Sequence, residues 1–513
     1  MENICDSSIS HLHSLSYSSE CFDELSEVSY DEFFKKYLLP NKPCVFSSGL
    51  TQRWKSRNDW VTEDGCPSFQ YMREIFGEAV VPVANCNEEC YQSHKKCEMK
   101  MCEYLDYWDK YRACSYPEKE PCLYLKDWHF QKAYPDYGAY TTPVYFKSDW
   151  LNEFWDTLPR DDYRFVYMGP KGTWTPFHSD VYRSHSWSAN ICGKKKWIFY
   201  PPGCEESLKD SLGNLVYDIT CSDLENPQKF PHAAEVKGRR IEVIQTQGQV
   251  MFVPSGWHHQ VINLEDTISI NHNWLNASNI DLCWKHLQSS LTAVQLEIAD
   301  CRDMEGWAQQ CQVILNASAG IDYKTFIKML HTIATNRIHA LQSKGVKLGS
   351  SKSYQRDEKG ICSDCWETTK FNIGTDENSS TSAHLLTDTK SESCDVSLSE
   401  IHKTCRQSIS DLKRNYYLKC NISGIGNVSK SVANGDVKSI EEILPQILID
   451  PTDTVSGSEN IKSENIKYLL FDIVRIKETL EHIVQDDDYK EMDLNYSESA
   501  EAVLNIICKY LFM

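Results

Sequence analysis

Three things are missing from this chain of 513 residues. No apolar run approaches the roughly 18–20 residues that a membrane helix needs. No long block of lysine and arginine is present, and 73 acidic residues outweigh 53 basic ones, for a formal net charge of −20. Nucleic-acid binding rests on phosphate neutralisation, so no direct nucleic-acid partner is expected, and a basic protein surface is the better match. The N-terminal stretch MENICDSSISHLHSLSYSSE lacks a basic n-region and an apolar h-region, so no secretory signal is read there. The expected setting is the cytoplasm, with the nucleus as a second one, and no membrane. In a reducing compartment the 22 Cys read as free thiols rather than a disulfide framework. Internal repeats are absent too, which excludes a solenoid or propeller.

What is present is a change of texture along the chain. Residues 1–28 are serine-rich and read as a flexible tail. Residues 29–140 read as a mixed α/β lobe packing on a barrel formed by residues 141–300. The lobe opens with the amphipathic run YDEFFKKYLLPNKPCVF and closes with a strand-like PCLYLKDWHF (121–130). The run SDWLNEFWDTL (148–158) has helical spacing behind a capping Ser148. Within 141–300, short β-like runs alternate with Gly, Pro, Asn and Asp turns, the pattern of a barrel or jelly roll. Residues 301–345 return to helical periodicity. Residues 346–460 are low in complexity, with 16 serines in 351–450, and are expected to be disordered apart from a local helix at SIEEILPQILI (439–449). Residues 461–513 read as amphipathic helices. The fold class expected is a mainly β core with flanking α-helices and a long disordered insertion.

The chemistry gathers in the β-rich part. In TPFHSD, His178 and Asp180 are two residues apart, so on a strand they share a face. By itself a His-x-Asp pair fits a hydrogen-bonded turn as well as a metal site. VPSGWHHQV adds His258 and His259, the latter 81 residues after His178. Two histidines and a carboxylate form the facial triad of non-haem Fe(II) oxygenases. Spacing does not choose between the two histidines. In GKKKWIFYPP a period of two puts Lys195, Trp197 and Phe199 on one face, so a lysine lines up with two aromatics. Such an ammonium needs an anion, either a protein carboxylate or the carboxylate of a small acidic cosubstrate. SINHN puts Ser269, Asn271 and Asn273 on one face and Ile270 and His272 on the other, which suggests a polar ligand cavity.

The ordered set HSD, GKKKW and VPSGWHH resembles the JmjC family of Fe(II)- and 2-oxoglutarate-dependent oxygenases, cupin-like double-stranded β-helix enzymes, over roughly residues 120–300. The resemblance implies that His178, Asp180 and His259 are the iron ligands, His259 because the family's ligand lies two residues after the tryptophan. It implies that Lys195 binds the distal carboxylate of 2-oxoglutarate, with Thr175 and Tyr124 on the same group. Asn271 and Asn273 fall near cosubstrate-lining positions, and Ser188 stands where the family carries an amide. Catalytic residues beyond the metal ligands are not implied. Cosubstrates would be 2-oxoglutarate and O2, with succinate and CO2 as products. The longer runs LPNKPCVFSSGLTQRW, VVPVANC, PVYFKSDWLNEFWD and DTISINHNW resemble one branch, known for hydroxylating a lysine side chain of the eukaryotic translation release factor. That branch implies a protein substrate in translation termination. The alternatives are a histone lysine demethylase and a non-catalytic scaffold. No chromatin-reader module is recognisable for the first, and the intact ligand set argues against the second.

Other signals are weaker. Cys362 and Cys365 form a lone C-x2-C, short of the four ligands zinc needs. KGRR (237–240) and SHKKCEMK (93–100) read as solvated loops. Asn460-Ile461-Lys462-Ser463 matches the release-factor motif by letter; it reads as a coincidence in a polar linker, against a sharper reading of Lys462 as a tethered pseudosubstrate.

Overall fold

The computed structural model describes residues 22–90, 92–344 and 457–512. The chain divides into two compact units, Met1–Cys283 and Trp284–Met513.

The first unit is built from strands β1 (Asp23–Leu25), β2 (Cys44–Phe46), β3 (Val80–Cys90), β4 (Ser93–Lys100), β5 (Leu123–Trp128), β6 (Arg164–Gly169), β7 (Trp174–His178), β8 (His185–Cys192), β9 (Lys195–Tyr200), β10 (Ile241–Gln245), β11 (Val250–Val253), β12 (His258–Asn263) and β13 (Thr267–Trp274). They form a nine-stranded sheet, ordered β1-β2-β11-β8-β13-β6-β5-β3-β4, and a four-stranded sheet, ordered β10-β9-β12-β7. Every neighbouring pair except β1–β2 is antiparallel. The sheets share a core in which Trp197, Phe199 and Val261 of the small sheet meet Val45, Met251 and Val253 of the large one. This is a double-stranded β-helix.

Alternation decides what each face does. The outer face of the small sheet presents Phe177, Ile198 and Tyr200 to a cover that includes Leu208, Val216, Ile219 and Phe230. On the outer face of the large sheet, the Trp187 and His272 rings pack at a tilt, 4.1 Å between centroids, and Tyr140 Oη lies 2.7 Å from His272 Nε2. The inner faces keep the polar residues. The connection from β8 to β9, which crosses from the large sheet to the small one, turns on only Gly193 and Lys194. Gly193 sits at φ 78°, and a Cβ there would come within 2.1 Å of Asp266 O, so only glycine fits. That turn sets Lys195 as the first residue of β9.

The second unit is helical: Trp307–Ala319, Tyr323–Ser343, Gly457–Gln485 and Ala500–Phe512, with the unit boundary falling inside Ile280–Glu297. The Tyr323–Ser343 helix starts at Asp322, whose side chain accepts from Thr325 N, and buries Phe326, Leu330, Ile333, Ile338 and Leu341 as one stripe.

Several expectations change. Residues 22–28 are not all tail, since β1 pairs with β2. The 29–140 segment supplies β2, β3, β4 and β5 to the large sheet itself rather than a lobe resting on it. SHKKCEMK is strand β4 and not a loop. It is the outermost strand, where lysines blunt an open edge, so its charge hides its geometry. The helix Trp150–Trp155 is capped by Asp149, which accepts from Asn152 N, and not by Ser148. Lys462 lies on the backbone of the Gly457–Gln485 helix, not in an extended linker, which removes the premise of a tethered pseudosubstrate. Residues 1–21, the 439–449 segment, Cys362 and Cys365, and the insertion up to residue 456 lie outside the described residues.

Candidate metal centre

The two histidines of the centre are directly paired across β7 and β12, His178 against His259. Between them and the next pair, Thr175 against Val261, β7 carries an extra residue, a bulge at Pro176–Phe177. The bulge puts Thr175 and His178 on one face although they are three apart. Asp180 is not on the strand. β7 ends at His178, and Asp180 follows in extended backbone, leading a short 3-10 turn, Val181–Arg183. Tyr182 and Arg183 are both left-handed, at φ 56° and 54°, an uncommon conformation for non-glycine residues. The chain thereby folds back into β8, and Ser186 Oγ donates to Asp180 Oδ2 at 2.7 Å.

His178, Asp180 and His259 each offer a ligand atom, all within 4.8 Å of one another, the one such cluster among the described residues. The rings are oriented from behind. His178 Nδ1 lies 2.7 Å from Pro176 O and His259 Nδ1 lies 3.1 Å from Trp257 O. Each Nδ1 donates its proton to a carbonyl, which leaves Nε2 with a lone pair for a cation. Burial, then the neighbouring His259, pushes the His178 pKa down to about 4, so the ring is neutral at physiological pH. His258 pairs with Tyr200 on the outer face and packs on Phe177, pointing away from the centre. Geometry therefore places His259, not His258, at the centre.

The cosubstrate candidates line the same interior. Lys195 is 2 % exposed, and no carboxylate lies within ion-pairing distance among the described residues. Its Nζ donates to Tyr124 Oη at 3.4 Å. Burial pushes its pKa down to about 7. Thr175 Oγ1 accepts from Val261 N at 3.3 Å, so its own proton is free to donate. Ser188 faces the interior between Met251 and Asn271, and its hydroxyl has no partner. Asn271 Nδ2 donates to Ser269 Oγ at 3.2 Å, and Asn273 Nδ2 to Ser184 Oγ at 3.2 Å. Asn263 is a member of the cavity that the motifs do not single out. It pairs with Lys195, lies beside Tyr124, donates from Nδ2 to Thr173 Oγ1 at 2.8 Å, and its Oδ1 has no partner. The period of two from His259 would have found it.

A model of the cupin-like domain matches residues 30–280. The chain is 52% identical over 322 residues to the 2-oxoglutarate and iron-dependent oxygenase JMJD4 of Gallus gallus, covering 63% of this chain and 76% of that protein. It is 48% identical over 329 residues to the Homo sapiens protein of the same name, covering 64% and 79%. It is 42% identical over 334 residues to a protein of Arabidopsis thaliana named arginine-specific demethylase JMJ20, covering 62% and 70%. The chain belongs to the JmjC family of 2-oxoglutarate- and iron-dependent oxygenases.

The JmjC cofactors fit what is here. Two free Nε2 atoms and a carboxylate suit iron(II), and a buried unpaired ammonium suits a carboxylate. Bound together, iron(II) and 2-oxoglutarate supply oxidative decarboxylation with O2, yielding succinate, CO2 and an oxygen atom for a substrate C–H bond. The protein orients the candidate ligands through Pro176 O, Trp257 O and Ser186, and Lys195, Thr175 and Tyr124 are the residues that would hold a carboxylate of the cosubstrate. Trp197 and Val261, paired across β9 and β12, and Phe199, paired with His259, form an apolar wall between Lys195 and the metal ligands.

Proposed function

We propose that this oxygenase hydroxylates a carbon of a lysine side chain in a protein, the eukaryotic translation release factor. The observation that carries the oxygenase chemistry is the convergence of His178, Asp180 and His259 in a cavity that also buries the unpaired Lys195. The substrate is supported by the runs LPNKPCVFSSGLTQRW, VVPVANC and DTISINHNW, which resemble the lysyl hydroxylase branch, and by a net charge of −20 that favours a basic partner. The reaction belongs in the cytoplasm, where translation terminates. The test is to incubate the Fe(II)-loaded chain with 2-oxoglutarate, O2 and recombinant release factor. One added oxygen on one lysine, with succinate formed in equal amount, is expected. Succinate release that the release factor does not stimulate would refute the substrate.

A second reading, demethylation, is favoured by one observation: a 42% identical relative is named an arginine-specific demethylase. Formaldehyde released from methylated peptides, with loss of the methyl mass, would decide for it.

A further inference from the structure

Lys126 is a second buried ammonium of the first unit, and none of the roles above uses it. It is 7 % exposed, and among the described residues no carboxylate lies within ion-pairing distance. It follows Tyr124 by two residues on β5, so it shares the face that Tyr124 turns to the cavity. The strand bulges directly after it: Leu125 pairs with Met168 and Trp128 with Val166, which leaves Lys126 and Asp127 opposite Tyr167. Asp127 is left-handed at φ 64°. The turn delivers its carboxylate to the Tyr167 hydroxyl, 2.6 Å away, and to Lys96. The neighbouring anion is thus engaged by two other donors.

The remaining groups that feel the Lys126 charge offer no counter-charge. His94 is held neutral, its pKa pushed down to about 3 by burial and then by Lys126. Burial pushes the Cys86 thiol up, so it stays protonated. Along β5 the step from Leu125, opposite Met168, to Trp128, opposite Val166, runs toward the start of β6, and β13 continues in that direction to Asn273, which pairs with Ser186, the partner of Asp180, so Lys126 lies on the metal side of Tyr124. The cavity therefore carries two unpaired buried ammoniums, one at the Tyr124–Asn263 end and one toward the metal ligands. Its cosubstrate is a dicarboxylate with an anionic group at each end. A buried ammonium is stable only with an anion. We propose that Lys126 is a positioning residue that binds the carboxylate beside the keto group of 2-oxoglutarate, as Lys195 serves the distal one.

The test is binding to the full chain loaded with Mn(II), read by calorimetry, with two probes. Oxalate offers only the metal-end carboxylates, while 2-oxoglutarate offers both ends. Lys126→Met is expected to weaken both probes by about 10- to 100-fold, the scale of one charge-assisted hydrogen bond. Lys195→Met is expected to weaken 2-oxoglutarate by as much and to leave oxalate within about threefold. Lys126→Arg keeps the charge and is expected to recover most of the oxalate affinity. Mn(II) affinity, read by electron paramagnetic resonance, stays unchanged in all three. Oxalate binding unaffected in Lys126→Met overturns the proposal, as does an equal loss in Lys126→Arg. Should Lys126→Met fail to fold, Lys126→Gln carries the same expectation and the same refutation.

Discussion

The two faces of the four-stranded sheet are made by the same strands and do opposite things. Toward the nine-stranded sheet, β7, β9 and β12 present Thr175, His178, Lys195, His259 and Asn263. Away from it they present Phe177, Ile198 and Tyr200, sealed under the 204–236 segment. The outer face is filled and mostly apolar, with His258 and Gln260 as its buried polar members. The inner face holds an unpaired ammonium and an unpartnered amide oxygen, each costly to bury. One face stabilises and the other carries chemistry, and alternation along each strand lets one segment do both.

The sharpest way to break that division is on the inner face. His259→Ala removes one of three ligands. Metal binding and 2-oxoglutarate turnover are expected to fall by more than about 100-fold, beyond the loss typical of an outer partner of a ligand. The unfolding midpoint without metal should move little. Metal content by elemental analysis and succinate release check this; retained metal and turnover would mean the inner face is not the centre.

On the outer face, Ile198 is fully buried. Ile198→Ala is expected to cost about 2–5 kcal/mol of stability through lost burial and a residual cavity. Turnover per folded molecule should stay within about twofold. Urea unfolding and succinate release together test the claim. If turnover per folded molecule falls along with stability, the two faces are mechanically coupled.

The inner–outer division was largely legible in the sequence, because Lys195-x-Trp197-x-Phe199 states its face by period alone. So does Ser269-x-Asn271-x-Asn273. What failed to show was wherever a strand departs from period two. The β7 bulge puts Thr175 in line with His178, and nothing in TPFHSD announces it, since Pro176 reads as a turn. Asp180 lies past the strand end, so strand alternation was the wrong reason for its closeness to His178. β4 was hidden by lysines that an edge strand tolerates. Lys126 sat in plain sight in CLYLKD, but a lysine beside an aspartate reads as a surface pair until the bulge at Asp127 is known.

A smaller effect separates the faces by charge. Lys195 has its pKa pushed down to about 7 by burial, from an unfolded value near 10.4. The empty pocket is therefore increasingly neutral above pH 7, while a bound carboxylate favours the charged form. Binding 2-oxoglutarate at pH 8 is expected to take up close to one proton, and affinity should decline as pH rises above 7. Calorimetry in buffers of different ionisation heat measures that uptake. It should vanish in Lys195→Met and persist in Ile198→Ala. Uptake unchanged in Lys195→Met would assign the proton elsewhere.

The finest test lies in one peptide bond, between His258 and His259. His258 is the outer member. Its Nδ1 stands 3.8 Å from Glu205 Oε2, too long for a hydrogen bond, and burial, then Arg183, pushes its pKa down to about 3. Its unfolded value is near 6.5, so between about pH 3 and 6.5 the unfolded chain binds the extra proton. Its contribution to stability is thus fully present above pH 6.5 and is lost as pH falls toward 3. His258→Gln is expected to flatten the acid limb of the stability curve by up to one proton and to shift stability at pH 7.5 by about 1 kcal/mol or less. Metal content and the 2-oxoglutarate Kd should not change. If this substitution depleted the metal as His259→Ala is expected to, the side of the sheet on which a histidine stands would not be what decides its role.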